Sequence, residues 1–336
     1  MTTDLLARLS DGLVYSTIAV LALALLAHAA STALRSLPTR HPGASSTLSV
    51  SARGRAAGAS RAAEAAGATG STRERDATDT RAGEGPALVV GASAVSLTVL
   101  GTLLLLAGVI VRGLAAGRAP WGNMFEFLLV LSLAAGGAYV ALVRRRAVRD
   151  AGVWIVALML LALGLAVTSF YTPVDDLVPV LDSYWLVIHV AAAIVSGGVF
   201  TIGAITAALG ILRRRWEARP VTERSQRYVA ALPTASSLDR ASHAVHVFAF
   251  PVWTFAVIAG AIWAENAWGR YWGWDPKETW AFITWVFYAA YLHAQSTAGL
   301  RGSRASWFAL AGYVAFLFNF FGVNLWISGL HSYAGV

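Results

Sequence analysis

The sequence predicts an all-α polytopic integral membrane protein with about eight transmembrane helices and both termini extracytoplasmic. Three observations carry this. Hydrophobic residues fill 57% of the 336 positions and charged residues only 13%. The apolar residues gather into runs of about 20, the length that crosses a bilayer as a helix. The basic residues are confined to alternate connections between those runs. In lipid the backbone must satisfy its own hydrogen bonds, so each run is read as a helix.

The runs fall at roughly 13–34, 87–111, 123–143, 151–170, 185–212, 244–264, 279–299 and 305–327. Within the first, Ala27-His28-Ala29 resembles a signal cleavage site. Asp4 and Asp11 offset Arg8, however, so a positive leader region is missing and a retained helix is expected, within an N-terminal unit of residues 1–37. Residues 38–86 are dominated by Ala, Gly, Ser, Thr and Arg. They bury too little surface to offset chain entropy, which predicts a disordered cytoplasmic linker. Residues 87–336 form the main transmembrane domain. Arg144–Arg146 and Arg213–Arg215 mark two cytoplasmic exits, and the mixed polar and basic stretch 216–243 is expected to hold a short interfacial helix.

The net charge is +8, and 21 of the 26 basic residues lie in segments 35–86, 144–150, 213–243 and 300–304. That distribution orients helices, with these segments inside. It needs no nucleic-acid partner. Cysteine is absent, so the chain offers neither disulfide nor thiol.

Seven of the thirteen tryptophans fall between Trp253 and Trp285, and four of them within Trp268–Trp280. That stretch reads Trp268-Gly-Arg-Tyr-Trp-Gly-Trp-Asp-Pro-Lys-Glu-Thr-Trp280 and links two apolar runs on the outer side. An interfacial aromatic belt explains Trp121, Trp185 and Trp326. It does not explain four tryptophans interleaved with Gly269, Gly273 and Pro276, which shape a fixed loop. Asp275-Pro276 reads as a helix start, and Glu278 is favourable in the first turn.

Three histidines stand out. His189 lies about one turn inside the fifth helix, and His331 lies just beyond the last. His293 lies 14 residues past Thr279, roughly 21 Å along the helix and beyond the bilayer midplane. Histidines at such depth are functional candidates, with interhelical hydrogen bonding as the plainer explanation. His28, His243 and His246 look less promising, and His41 sits in the linker. Small residues share the face of His189 (Ala192, Ala193, Ser196, Gly197) and of His293 (Ala289, Ala290) within one or two turns. They suit either close helix packing or the approach of a flat macrocycle. Imidazoles beside aromatic walls suit haem, whose iron takes axial histidines. Arg270 and Lys277 could pair with its carboxylates.

The loop resembles the tryptophan-rich WWD signature of haem-handling proteins in cytochrome c maturation. The fuller pattern resembles the CcsA family of the System II pathway, also called CcsB or ResC. Pro120-Trp-Gly-Asn-Met-Phe-Glu126-Phe, Ser183-Tyr-Trp-Leu-Val-Ile-His189-Val and Gly329-Leu-His331-Ser-Tyr resemble three further family motifs, so the likeness covers roughly 87–336. It implies that His189 and His331 hold haem iron outside and that His293 holds it within the membrane. Trp268, Tyr271, Trp272, Trp274, Asp275, Trp280, Arg270 and Lys277 would belong to the haem site. No catalytic side chain is implied. The resemblance further implies a bacterial plasma membrane location and haem b as substrate and transient ligand. It implies a CcsB/ResB-type partner, apocytochrome c as acceptor, and thiol-reducing thioredoxin-like proteins nearby. The chain would then be the haem-binding subunit of a holocytochrome c synthase. A haem chaperone resembling CcmC, delivering to a separate ligase, is the alternative. An unrelated multi-helix transporter is a third reading.

Overall fold

A computed structural model describes residues 2–36, 64–174, 183–224 and 227–331. Among them the architecture is wholly helical. The helices are α1 (Thr3–Ser36), α2 (Glu64–Ala116), α3 (Met124–Leu142), α4 (Arg146–Arg149), α5 (Gly152–Ser169), α6 (Tyr184–Glu217), α7 (Arg227–Ala231), α8 (Ala235–Trp268), α9 (Pro276–Ser296), α10 (Ser303–Leu317) and α11 (Val323–Trp326). A π-helical turn, Phe318–Gly322, joins α10 to α11.

Among the described residues seven helices are long and apolar enough to cross a membrane. The remaining long helix, α9, has 21 residues, about 31 Å at 1.5 Å per residue. Lys277, Glu278, Thr284, His293 and Gln295 dilute its hydropathy. Every expected apolar run therefore has its helix, though several start earlier or end later than the run. α8 begins at Ala235, nine residues before the run at 244, because Ser236, Ser237, Asp239 and Arg240 mask a helical first stretch. Part of the expected linker is also helical, since α2 begins at Glu64 in an alanine-rich stretch and carries Pro86 in its interior. Residues 37–63 lie outside the described residues.

α1 packs along α2, α6 along α8, and α9 against α10, while α3 bridges α5 and α6. The α3–α6 crossing is tight. A Cβ on Gly198 would sit 2.7 Å from backbone atoms of Ala134 and Ala135, so only glycine allows the two backbones so close. His28 makes an interhelical hydrogen bond to Thr98 at 3.1 Å.

One polar hub lies at the end of the bundle that holds the aromatic loop. Asn123 caps α3 by accepting from the Glu126 amide at 2.9 Å. The Glu126 carboxylate is fully buried and receives Arg112 Nε at 3.1 Å, Arg118 Nη1 at 2.7 Å and the Gly122 amide at 2.9 Å. Arg112, also fully buried, donates to the Thr172 carbonyl. This hub ties α2, the 117–123 segment, α3 and the chain after α5 together. Removing one partner leaves a buried charge uncompensated. Glu126→Ala is therefore expected to cost about 3–5 kcal/mol, seen as a lowered thermal unfolding midpoint in detergent; Glu126→Gln should cost less.

Candidate functional site

The aromatic loop is shaped by its two helix ends. α8 stops where Gly269 takes a left-handed conformation (φ 69°) and its amide bonds to the Glu265 carbonyl at 2.8 Å. α9 starts at Asp275, whose side chain and that of Glu278 form a reciprocal capping box, with Pro276 in the first turn. The Glu278 carboxylate also reaches into the loop, accepting from the Gly273 amide at 2.8 Å and the Asp275 amide at 3.0 Å. Trp274, between them, is held at φ 57°, a left-handed backbone that bulky residues adopt rarely.

Asp275 does more than cap. Its Oδ1 accepts from the Leu330 amide at 2.8 Å and its Oδ2 from His331 Nδ1 at 2.7 Å. One buried carboxylate thus fixes the chain end beyond α11 onto the start of α9. Burial pushes the Asp275 carboxyl up. The hydrogen bonds from His331, Leu330 and Lys277 outweigh it and leave the group below its ordinary value of 3.8.

His189 is positioned by different means. Its Nδ1 donates to the Ala256 carbonyl of α8 at 2.7 Å. That is possible because position 260, one turn on, is glycine: a Cβ there would lie 2.6 Å from the His189 ring. A carbonyl can only accept, so Nδ1 carries the proton and Nε2 the lone pair. The Asp275 carboxylate selects the same tautomer for neutral His331. An acceptor on the far ring nitrogen orients metal-ligating histidines in the same way.

The two histidines come together. Two adjoining cavities share His189, His331, Lys277, Trp263, Ala193, Phe127 and Phe320 in their walls. The deeper cavity, about 820 Å³ with its mouth, adds Tyr271, Trp272 and Trp253. The outer one, about 1390 Å³, opens between the 117–124 segment and the first turns of α6. The π turn places both Asn319 and Phe320 on the deeper cavity. Such turns occur often at functional sites.

The loop residues divide. Trp268 packs edge-on against His331 with ring centres 4.8 Å apart, and Trp263 lies 5.8 Å from the same ring. Tyr271, Trp272 and Lys277 line the deeper cavity. Trp274 lines neither; it packs against Trp272 and Phe282. Trp280 packs at a tilt against Phe318 of the π turn, with ring centres 4.2 Å apart. Arg270 is exposed and folds back over Gly273, also outside both cavities. His293 is not brought to His189 and His331. It is exposed on α9, on the face that carries exposed Phe282 and Val286.

Some site residues were not foreseen. Trp263, Phe320 and Arg118 line the cavities but sit in stretches that read as ordinary apolar helix or plain connection, and Phe127 lines them from the end of the Pro120–Phe127 motif. His246 is fully buried, with Nδ1 on the Ser242 carbonyl at 2.7 Å and its ring between Phe200, Tyr288 and Tyr291. It lines neither cavity, in keeping with its low standing among the histidines of the sequence.

The fold and site define a polytopic helical membrane protein with two oriented imidazoles in an aromatic, largely apolar cavity. Residues 121–331 match the cytochrome c assembly protein family. The cytochrome c biogenesis protein CcsA of Prochlorococcus marinus (strain MIT 9312) is 33% identical over 265 residues, covering 71% of this chain and 84% of its own. CcsA of Guillardia theta is 33% identical over 242 residues, covering 66% and 79%. CcsA of Parasynechococcus marenigrum (strain WH8102) is 34% identical over 266 residues, covering 70% and 85%. The chain belongs to the cytochrome c assembly family, as the loop motif led us to expect, and is a protein of cytochrome c biogenesis. Among solved structures, the cytochrome c haem lyase CcmF shares the fold with a TM-score of 0.62 at 16% identity, over 96% of this chain. The chain spans about half of that protein, 47% of its length.

Two outcomes follow from the Asp275 junction. Asp275→Ala should raise amide exchange at Leu330 on the order of tenfold, the worth of one buried charge-assisted hydrogen bond. The folded carboxyl lies below the ordinary value, so its stabilisation is present above about pH 3.8 and is lost as pH falls through the folded value. Exchange at Leu330 in the unaltered protein should therefore stay protected at neutral pH, relative to intrinsic rates, and lose protection only below that range.

Proposed function

We propose that the chain binds haem b at the cavity between His189 and His331 and presents it to apocytochrome c for covalent attachment. The observation that carries this is the convergence of two imidazoles, each with Nδ1 fixed on an acceptor, on one apolar and tryptophan-lined cavity. Two Nε2 lone pairs are the axial set for iron whose other bonds come from a ring. Ala193 and Gly260 keep the wall beside His189 low, and Trp253, Trp263, Tyr271 and Trp272 supply flat apolar surface, while Trp268 backs His331 from outside the cavity.

In this reading the chain contributes binding, orientation and exclusion of water rather than a catalytic group. The acceptor's Cys-x-x-Cys-His segment brings the reacting thiols. Each S–H adds across one vinyl group, so nothing leaves and no oxidant is consumed. The absence of cysteine in this chain spares the vinyls a competing thiol. The distribution of basic residues supports a topology with the aromatic loop and both termini on the outer side, here of a bacterial plasma membrane. Haem then travels outward from the cytoplasmic side past His293. The exposed position of His293 on α9 suits a ligand shared with a second protein, a CcsB/ResB-type partner, better than one closed within this chain. Thioredoxin-like proteins would keep the acceptor's thiols reduced.

The test is coexpression of the full chain with that partner and a Cys-x-x-Cys-His reporter. Haem that stays on the reporter through denaturing electrophoresis is expected. His189→Ala and His331→Ala should each lower haem absorbance of the purified protein and cut the product by at least about tenfold, the scale of losing a positioned ligand or its support. Unaltered haem and unaltered product in both variants would sink the assignment. Haem bound without product, restored by a separate ligase, would favour a carrier resembling CcmC.

A further inference from the structure

The cavity walls carry two cations, one from α9 and one from the 117–124 segment. Lys277 lines both cavities from the first turn of α9. Among the described residues no carboxylate comes within 4.0 Å of its ammonium. Its Nζ lies 6.0 Å from the Phe320 ring. A cation in so apolar a setting is costly without an anion. Arg118 lines the outer cavity from the 117–124 segment, beside Trp121 and Asn123. Its Nη1 is held by Glu126 Oε2 at 2.7 Å and the Ala119 carbonyl at 3.1 Å, and Nη2 lies 3.4 Å from Glu126 Oε1. Arg112 shares the same carboxylate. The guanidinium is thus oriented in advance at the cavity wall with both Nη groups on Glu126, and what it offers a ligand carboxylate is an arginine charge held in a fixed place. Arg270, the expected second cation, is exposed and lines neither cavity.

We propose that Arg118, acting with Lys277, recognises the two carboxylates of the haem edge. That edge then faces the 117–124 segment, and the hub at Glu126 is the device that holds its receptor in place. The inference rests on the haem reading above and names the polar half of the same site.

The experiment is an absorbance titration of the purified full-length protein in detergent with haem and, separately, with haem dimethyl ester, in which both carboxylates are masked. The unaltered protein should prefer haem by about tenfold or more, the worth of a hydrogen bond to a charged group. Arg118→Gln and Lys277→Gln should each erase about tenfold of haem affinity while leaving ester affinity within about twofold. Arg118→Lys should keep part of the preference. A merely structural role for Arg118 would weaken haem and ester equally, and that result overturns the proposal. So does an unchanged preference in Arg118→Gln, or a loss of preference confined to Arg270→Gln. An unaltered protein that binds neither compound overturns the haem reading and this assignment with it. One that binds haem while Arg118→Gln behaves identically overturns this assignment alone.

Discussion

The site depends first on the Asp275 carboxylate. It starts α9, ends the aromatic loop, and takes the amide of Leu330 and the imidazole of His331 from 55 and 56 residues away. A helix start in a membrane protein leaves backbone amides that need acceptors. Asp275 answers that need and, with the same two oxygens, places a candidate metal ligand. The loop cannot move without moving the helix cap, and the cap cannot move without releasing the histidine. Glu278 extends the coupling by holding the loop's own amides. Three functions that could have been separate are carried by two acidic side chains within one turn.

The two histidines reach the same cavity with different mechanical backing. His189 projects from a 34-residue helix and leans on a carbonyl of another equally long one. The Ala256 carbonyl has a second lone pair for this bond, so the α8 ladder need not break. His331 follows a four-residue helix and a short turn, and its place is set by Asp275 and by Trp268. One imidazole is therefore built into the bundle, while the other is fastened to it by a charge-assisted bond. The tryptophans around His331 compensate for its lack of helical support.

Much of this was legible in the sequence, for definite reasons. Apolar runs of about 20 residues report helices directly, because lipid leaves few alternatives. The loop declared itself by composition, and its capping box by Asp275-Pro276 with Glu278 three positions on. What stayed hidden were facts about faces and partners. Arg112 read as one outer charge among five, yet it is fully buried against Glu126. Arg118 read the same way and lines the cavity. Trp263 sits in an ordinary apolar run, and only the crossing of α8 with the loop brings it to His331. Arg270 and Lys277 looked equivalent, seven residues apart around a loop, until backbone turns at Gly269 and Trp274 sent one outward and the other in.

The contrast between His246 and His293 shows why depth alone is a weak guide. Both lie well inside long helices. His246 is enclosed by Phe200, Tyr288 and Tyr291, and a Cβ on Gly203 would lie 2.3 Å from its ring, which leaves no room there for a macrocycle. Its buried setting is that of a packed core residue bonded to its own helix. His293 has the opposite setting. Exposed Phe282 and Val286 precede it on one face of α9, where the stripe meets lipid or another protein rather than this bundle. A polar ring on such a surface is costly in hydrocarbon unless something covers it. The same reasoning that sets His246 apart from the proposed haem site leaves His293 open at the helix surface, as the proposed route requires.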